Sequence, residues 1–327
     1  MSLASCLLMY SFAVVVLAPG LLVRLTHAGT APRLGILAWL AAIVSVLASW
    51  SVAVVAMGAE LIHDRTHPGH AVAASCVGLL RAAAAGQHGV PIQLGLFLLI
   101  ALITSAMLVL SVRLVRSMWR ARTATQQHAR MAQLAGQRND RLQVDGLDAR
   151  VLDTPQPAVY CVASRPRMIV VTSAALTALD PPRLRAVLAH ERAHLAGHHH
   201  LVVAFTRALA KALPRVRLFT LGAAEVARLL EMAADDTAAR AHGRPTVLDA
   251  LLALCAAGAG APMPREALGA TGLAVLTRVE RLLEPAPTIR RIKTGLLLGA
   301  AATVLVTGPV LVGLLTAAGL ALCGPMG

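Results

Sequence analysis

Acidic residues are scarce in this 327-residue chain: 16 Asp and Glu stand against 30 Lys and Arg, a formal net charge of +14. Charge of either sign is sparse, at 14% of residues, while 57% are hydrophobic and the mean hydropathy is +0.69. A soluble domain has about a quarter of its residues charged and roughly 45–50% apolar, so a simple soluble enzyme is excluded. Aromatic residues make up only 3%. Without aromatic–basic interleaving or a nucleic-acid module, the positive charge does not point to direct nucleic-acid binding. The five cysteines, Cys6, Cys76, Cys161, Cys255 and Cys323, are odd in number and show no CxxC spacing. Neither a disulfide framework nor a thiolate zinc site is indicated. No Lys or Arg precedes Leu3, and the apolar run that starts there is too long for a secretory signal. Leu3-Ala4-Ser5-Cys6 looks like a lipoprotein cleavage box but has no apolar core upstream, so the run reads as a retained transmembrane helix.

Long uncharged stretches are what the chain does have. They run from Leu3 to Val23, Leu34 to Ala59, Ile92 to Val112 and Gly295 to Cys323. Each reaches the roughly 20 residues a helix needs to cross a bilayer. Basic residues crowd beside them: Arg113, Arg116, Arg120 and Arg122 after the third, Arg290, Arg291 and Lys293 before the fourth. By the positive-inside rule these ends are cytoplasmic, as is the loop with Arg24 and Arg33. The expectation is three spans within 1–116, an external loop at 60–90, a cytosolic domain at 117–294, and a fourth span with a short external tail at 295–327. Both termini are then external, and the protein is a multi-pass plasma-membrane protein. The arginine clusters also suit anionic headgroups, which makes the lipid bilayer a partner.

Residues 117–142 are polar and continue the third helix as a stalk. Arg150-Val151-Leu152-Asp153 reads as strand-like. Ala158–Val162 and Met168–Thr172, around a Ser164–Arg167 turn, read as an antiparallel strand pair. Asp180-Pro181-Pro182 is a helix start. The helix it opens carries His190-Glu191-Arg192-Ala193-His194. Two histidines at i and i+4 share a face and can hold one Zn²⁺. Glu191 then faces the remaining position, where it can act as general base on a water for amide hydrolysis. A catalytic zinc needs a third protein ligand. Glu231, on a helix read over Ala223–Arg240, can supply it. Asp235, four residues on, can accept the Nδ1–H of His190 and fix its tautomer; Asp236 is the rival for that role.

This H-E-x-x-H helix followed by an E-x-x-x-D helix resembles the gluzincin metallopeptidases. Three spans before the catalytic segment and one after it resemble the BlaR/MecR-type integral-membrane zinc metallopeptidases, and the soluble part is similar to HtpX and the CAAX prenyl proteases. The resemblance implies four transmembrane helices and a cytosolic, mainly α zincin-like α+β domain. It implies one Zn²⁺ per chain on His190, His194 and Glu231, with Glu191 as base. It also implies that Ala158, Val159 and Tyr160 form an edge strand able to pair with an extended substrate; ordinary core packing is the alternative. Two departures matter. BlaR and MecR carry an external penicillin-binding domain that this sequence does not continue into, so β-lactam sensing is not expected. Relatives outside that group place a histidine in a His-Pro element before an Arg-Ile pair. Here Glu284-Pro285 stands before Arg291-Ile292, which leaves Arg291 and His242 as candidates for stabilising the oxyanion.

His198-His199-His200 reads as a solvated helix end rather than an extra metal site. His63, His67, His70 and His88 read as a polar external loop, and Gly258–Pro262 as a connection. The expected function is a membrane-anchored zinc endopeptidase. Its expected partner is a protein substrate, either a transcriptional repressor or a membrane protein. The alternatives are an inactive metallopeptidase-fold signalling protein and, less favoured, a metal transporter. The uncharged stretches contain no histidine, which weighs against a permeation path.

Overall fold

The computed structural model describes residues 3–66, 90–138, 148–162, 168–258 and 275–318. Outside them lie the Ser164–Arg167 turn, most of the Glu60–His88 loop with His67, His70 and His88, the residues of the Gly258–Pro262 loop after Gly258, and the segment from 319 onward. The helices are α1 (Leu3–Thr26), α2 (Pro32–Thr66), α3 (Val90–Ala135), α4 (Ser173–Ala178), α5 (Pro181–Ala196), α6 (His199–Ala212), α7 (Arg217–His242), α8 (Arg244–Gly258), α9 (275–283) and α10 (Thr288–Ala317). The strands are β1 (Gln137–Arg138), β2 (Asp148–Leu152), β3 (Val159–Val162) and β4 (Met168–Thr172). The fold is thus mostly helical with one small sheet.

Four of these helices are long and apolar enough to cross a membrane, over Leu3–Thr26, Pro32–Gly58, Ala101–Ala135 and Thr288–Thr316. The spans in α1, α2 and α10 are apolar on every side over most of their length, so composition alone does not say which face packs inward. In α1 the inward positions are Leu7, Ser11, Val14, Ala18 and Leu22, three or four residues apart, while Phe12, Val16 and Leu17 point out.

Proline makes one helix contact specific. Pro309 in α10 has no N–H for the carbonyl of Leu305, four residues back. The Tyr10 hydroxyl of α1 donates to that carbonyl at 3.0 Å and lies 2.9 Å from Ser45 Oγ of α2. Gly308 leaves the space, since a side chain there would collide with the Tyr10 ring.

α7 lies along α2. Gly222 lets it approach Trp39 and Ile43, and Gly35 lets α2 approach Leu229; a Cβ at either glycine would meet those side chains at 3.0–3.2 Å. Trp39, Ile43, Phe219, Val226 and Leu229 are fully buried in one core that α1, α2, α6, α7 and α10 share. Phe219 meets Trp50 edge-on at 6.1 Å between ring centroids.

The sheet order is β1-β2-β4-β3. β3 and β4 pair antiparallel, as expected, and β3 is an edge strand. β2 pairs with β4 in parallel and β1 with β2 antiparallel, pairings that were not anticipated. β4 (Met-Ile-Val-Val-Thr) is buried throughout, with Met168 and Val170 against Ala129 and Ala132 of α3, and Ile169 and Val171 against Ala175 and Leu188. That two-sided burial explains its continuous apolar run. The helix expected to reach residue 142 stops at Ala135. Gly136 follows at its end, at a place where a Cβ would press on Ala132 O and Arg150 Cβ. Arg150 Nη1 donates to the Gly136 carbonyl at 3.3 Å, capping the end.

Tyr10→Phe removes the side-chain donor to the Leu305 carbonyl. Hydrogen bonds between membrane helices are worth about 0.6 kcal/mol on average and up to about 1.7. Thermal melting of the detergent-solubilised protein should show a loss in that range. An unchanged melting temperature would mean that α1 and α10 do not meet this way.

Candidate metal centre

α5 starts as its sequence requires. Asp180 Oδ1 accepts from Arg183 N at 3.0 Å, and two prolines occupy the first turn, where no N–H is needed. Three turns on, His190 and His194 meet edge-on with ring centroids 4.8 Å apart and Nε2 atoms 3.1 Å apart. α7 crosses α5 and brings Glu231 against both: Oε2 lies 3.5 Å from His190 Nε2, and Oε1 lies 3.5 Å from His194 Nε2. Among the described residues these three form the one group of potential metal ligands that converges. Tetrahedral zinc with bonds of about 2.0–2.2 Å places ligand atoms roughly 3.3–3.6 Å apart. The observed separations fit that figure, and so does the donor set of two imidazoles and a carboxylate.

His190 is aimed from behind. Its Nδ1 lies 3.0 Å from Asp235 Oδ1, which leaves Nε2 facing Glu231 and His194. Asp235 holds this place rather than Asp236, whose carboxylate is taken by Arg281 Nη2 at 2.5 Å. Asp235 is completely buried, and Arg278 grips it with a two-pronged fork, Nε to Oδ2 at 2.8 Å and Nη2 to Oδ1 at 2.7 Å. Arg278 Nη1 also reaches Glu231 Oε2 at 3.3 Å. Burial alone would raise both carboxyl pKa values. The His190 and Arg278 contacts outweigh it, holding Glu231 at about 2 and Asp235 well below the usual carboxylate range. Burial would lower His190, but Asp235 and Glu231 outweigh it and hold it at about 9. For His194 burial prevails and takes it to about 4.

Glu191 is the next residue after His190, and its Oε2 accepts the backbone N–H of Cys161 at 3.0 Å. Ala158 faces β4, exchanging bonds with Thr172. By the two-residue period of a strand, Val159 and Cys161 turn their backbone groups to the open edge of β3. The base candidate therefore sits on that edge. Burial raises its pKa, the direction a general base for neutral pH requires. The Cys161 thiol is pushed up to about 12 by burial and by the Glu191 charge, so it stays protonated.

Other candidates are placed elsewhere. His242 ends α7, eleven residues and about 16 Å along the axis from Glu231. Arg291 is exposed in the first turn of α10. Among the described residues neither bonds to the cluster. The Tyr160 side chain packs toward α3, with Ala129 and Val162.

His199 is not a solvated helix end. Its Nδ1 lies 2.8 Å from His194 Nδ1. The turn that folds it back puts His198 in the left-handed region at φ 50° and needs Gly197, where a Cβ would strike the His199 ring. Arg278 and His199 are the residues that the sequence reading missed. The available signal for Arg278 was Thr277-Arg278-Val279-Glu280-Arg281, two arginines one helical turn apart, against the adjacent Asp235-Asp236.

Losing the support behind a metal ligand typically lowers metal affinity about 10–100-fold. Arg278→Met should do so in chelator competition. Arg278→Lys should fall between, because an ammonium cannot reproduce the fork. Wild-type affinity in Arg278→Met would show that Asp235 orients His190 unaided.

Residues 118–213 match the model of Peptidase family M48. No solved structure matches the chain. The matched segment runs from the end of α3 through the sheet, α5 and α6. It takes in His190, Glu191 and His194 and ends before Glu231, and it supports a metallopeptidase of that family.

Proposed function

We propose that this protein is a membrane-anchored, zinc-dependent endopeptidase that cleaves a cytosolic or membrane-proximal protein. The convergence of His190, His194 and Glu231 beside a largely buried Glu191 carries this reading. Zinc held by those three residues would supply a Lewis acid for the scissile carbonyl. The chain's own residues do the rest. Asp235 and Arg278 keep His190 oriented. The Cys161 N–H fixes one oxygen of Glu191, and that carboxylate takes a proton from the attacking water and delivers it to the leaving amine. The outward backbone groups of Val159 and the carbonyl of Cys161, on β3, can align an extended peptide beside it.

The same reading places the metal centre on the cytoplasmic side of a plasma membrane, with both termini external. Two features support it. The arginine clusters adjoin the span ends, and the α1–α2 loop is bonded to the elements of the metal centre, with Arg281 Nε donating to Gly29 O at 2.8 Å. By resemblance to BlaR and MecR the first substrate to try is a cognate repressor. By resemblance to HtpX the second is a misfolded membrane protein.

Glu191→Gln is nearly isosteric and keeps the metal ligands but cannot accept a proton. Loss of a general base typically costs about 10²–10⁴-fold in rate. Proteomes of cells carrying wild type and Glu191→Gln should differ by fragments present only with wild type, while both purified proteins hold the same zinc. Equal cleavage by the variant would remove Glu191 from the mechanism.

A further inference from the structure

A second site lies behind the metal centre. A cavity of about 470 Å³ opens between α2, the end of α5, the start of α6 and α7. It falls within the roughly 300–1,000 Å³ of small-molecule sites. Its walls are apolar, with Ile36 and Leu37 of α2, Val202 of α6 and Leu230 of α7. Leu37 belongs to an exposed stripe on α2 with Val44, Val52 and Val55, one face of a helix long and apolar enough to cross a membrane. The cavity therefore continues a face that lipid would cover.

Its rim is cationic. Arg33 lies on the wall, and its Nη2 donates to the Thr237 hydroxyl at 3.2 Å. Arg240, one turn further along α7, donates Nη2 to the same hydroxyl at 3.0 Å. Two guanidiniums thus converge on one neutral oxygen. The nearest carboxylates on α7 are engaged elsewhere, Asp236 by Arg281 and Asp235 by Arg278 and His190. Among the described residues neither Arg33 nor Arg240 has an acidic partner. An anion bridging both would satisfy donors that now share one hydroxyl.

We propose that this cavity takes an acyl chain of an anionic phospholipid from the bilayer leaflet on the metal-centre side, with the phosphate held between Arg33 and Arg240. The site needs α1 and α2 to span the bilayer but not the peptidase chemistry. His199 lines the same cavity and touches His194, so the chain also packs against the partner of a metal ligand.

The test uses the full-length protein in nanodiscs of equal parts phosphatidylglycerol and phosphatidylcholine, released into detergent for native mass spectrometry. Wild type should retain one phosphatidylglycerol per chain, favoured over phosphatidylcholine about tenfold or more by its two arginines. R33Q/R240Q should lose the preference, and R240Q, at an exposed position, should lose part of it without risk to folding. Leu37→Trp narrows the mouth and should reduce retention of both lipids. Excess inorganic phosphate should not displace the lipid. Equal retention of the two lipids by wild type, or an unchanged preference in R33Q/R240Q, overturns the site; displacement by phosphate assigns the arginines to a free anion and overturns it too. Glu191→Gln should retain lipid as wild type does, so a failed peptidase reading leaves this result standing. Release of the protein from carbonate-washed membranes would instead overturn the spanning reading on which the site depends.

Discussion

Asp235 is a fully buried carboxylate, and the candidate metal centre is arranged around keeping it charged. A lone buried ion costs several kcal/mol even after relaxation, and breaking a buried pair typically costs about 3–5 kcal/mol. Here the charge receives three N–H groups, two from the Arg278 fork and one from His190 Nδ1. The same guanidinium reaches Glu231, one turn earlier on α7. A single cation from α9 thus aligns both acids of α7, and the acids in turn aim the first histidine of α5. Helix periodicity puts His190 and His194 on one face, but the rings are held in position by this charge network.

The network extends beyond the site. One turn after Arg278, Arg281 binds Asp236 and the carbonyl of Gly29 in the α1–α2 loop. That loop passes so close to α7 that Gly29, at φ 57°, has no room for a Cβ beside Met232 Sδ. On the other side Arg228 donates to the carbonyls of Thr26 and His27 and pairs with Glu225 at 2.6 Å. The last carbonyls of a helix lack partners of their own, and α7 supplies them for α1. The loop between the first two apolar helices is therefore clamped by arginines from the two elements that carry Glu231, Asp235 and Arg278.

What could be read from the sequence follows the range of each interaction. The i,i+4 histidines, the Asp180 cap, the Glu231–Asp235 spacing and the β3–β4 pair are local patterns, and the structure shows each element where the pattern put it. The spacing also favours Asp235 over Asp236 as the partner of His190, because only the i+4 acid shares the face of Glu231. For Arg278 the paired arginines one turn apart are only a weak signal, since Arg278 stands 43 residues from Asp235 and any of several arginines could answer that acid. The parallel β2–β4 pairing was hidden for the same reason. His199 was misjudged because composition alone makes a histidine triplet look solvated, whereas the left-handed turn at His198 folds one of the three onto the site. The inward faces of α1, α2 and α10 were illegible because a helix apolar all round has no preferred side.

α7 shows why the apolar helices and the metal centre cannot be treated as separate parts. Its first half sends Leu218, Phe219, Val226 and Leu229 into the core shared with α1, α2 and α10, while Glu231 and Asp235 follow within two turns on the same rigid element. Any tilt of α7 against α2 would have to move the close contacts at Gly222 and Gly35, and a packed interface resists that because it is dense and shaped on both sides. A displacement of α1 or α2 is thus carried to Glu231 through one helix, and to His190 through Asp235. The register of the apolar helices sets where Glu231 stands, and the Arg278 fork sets how firmly it stays there.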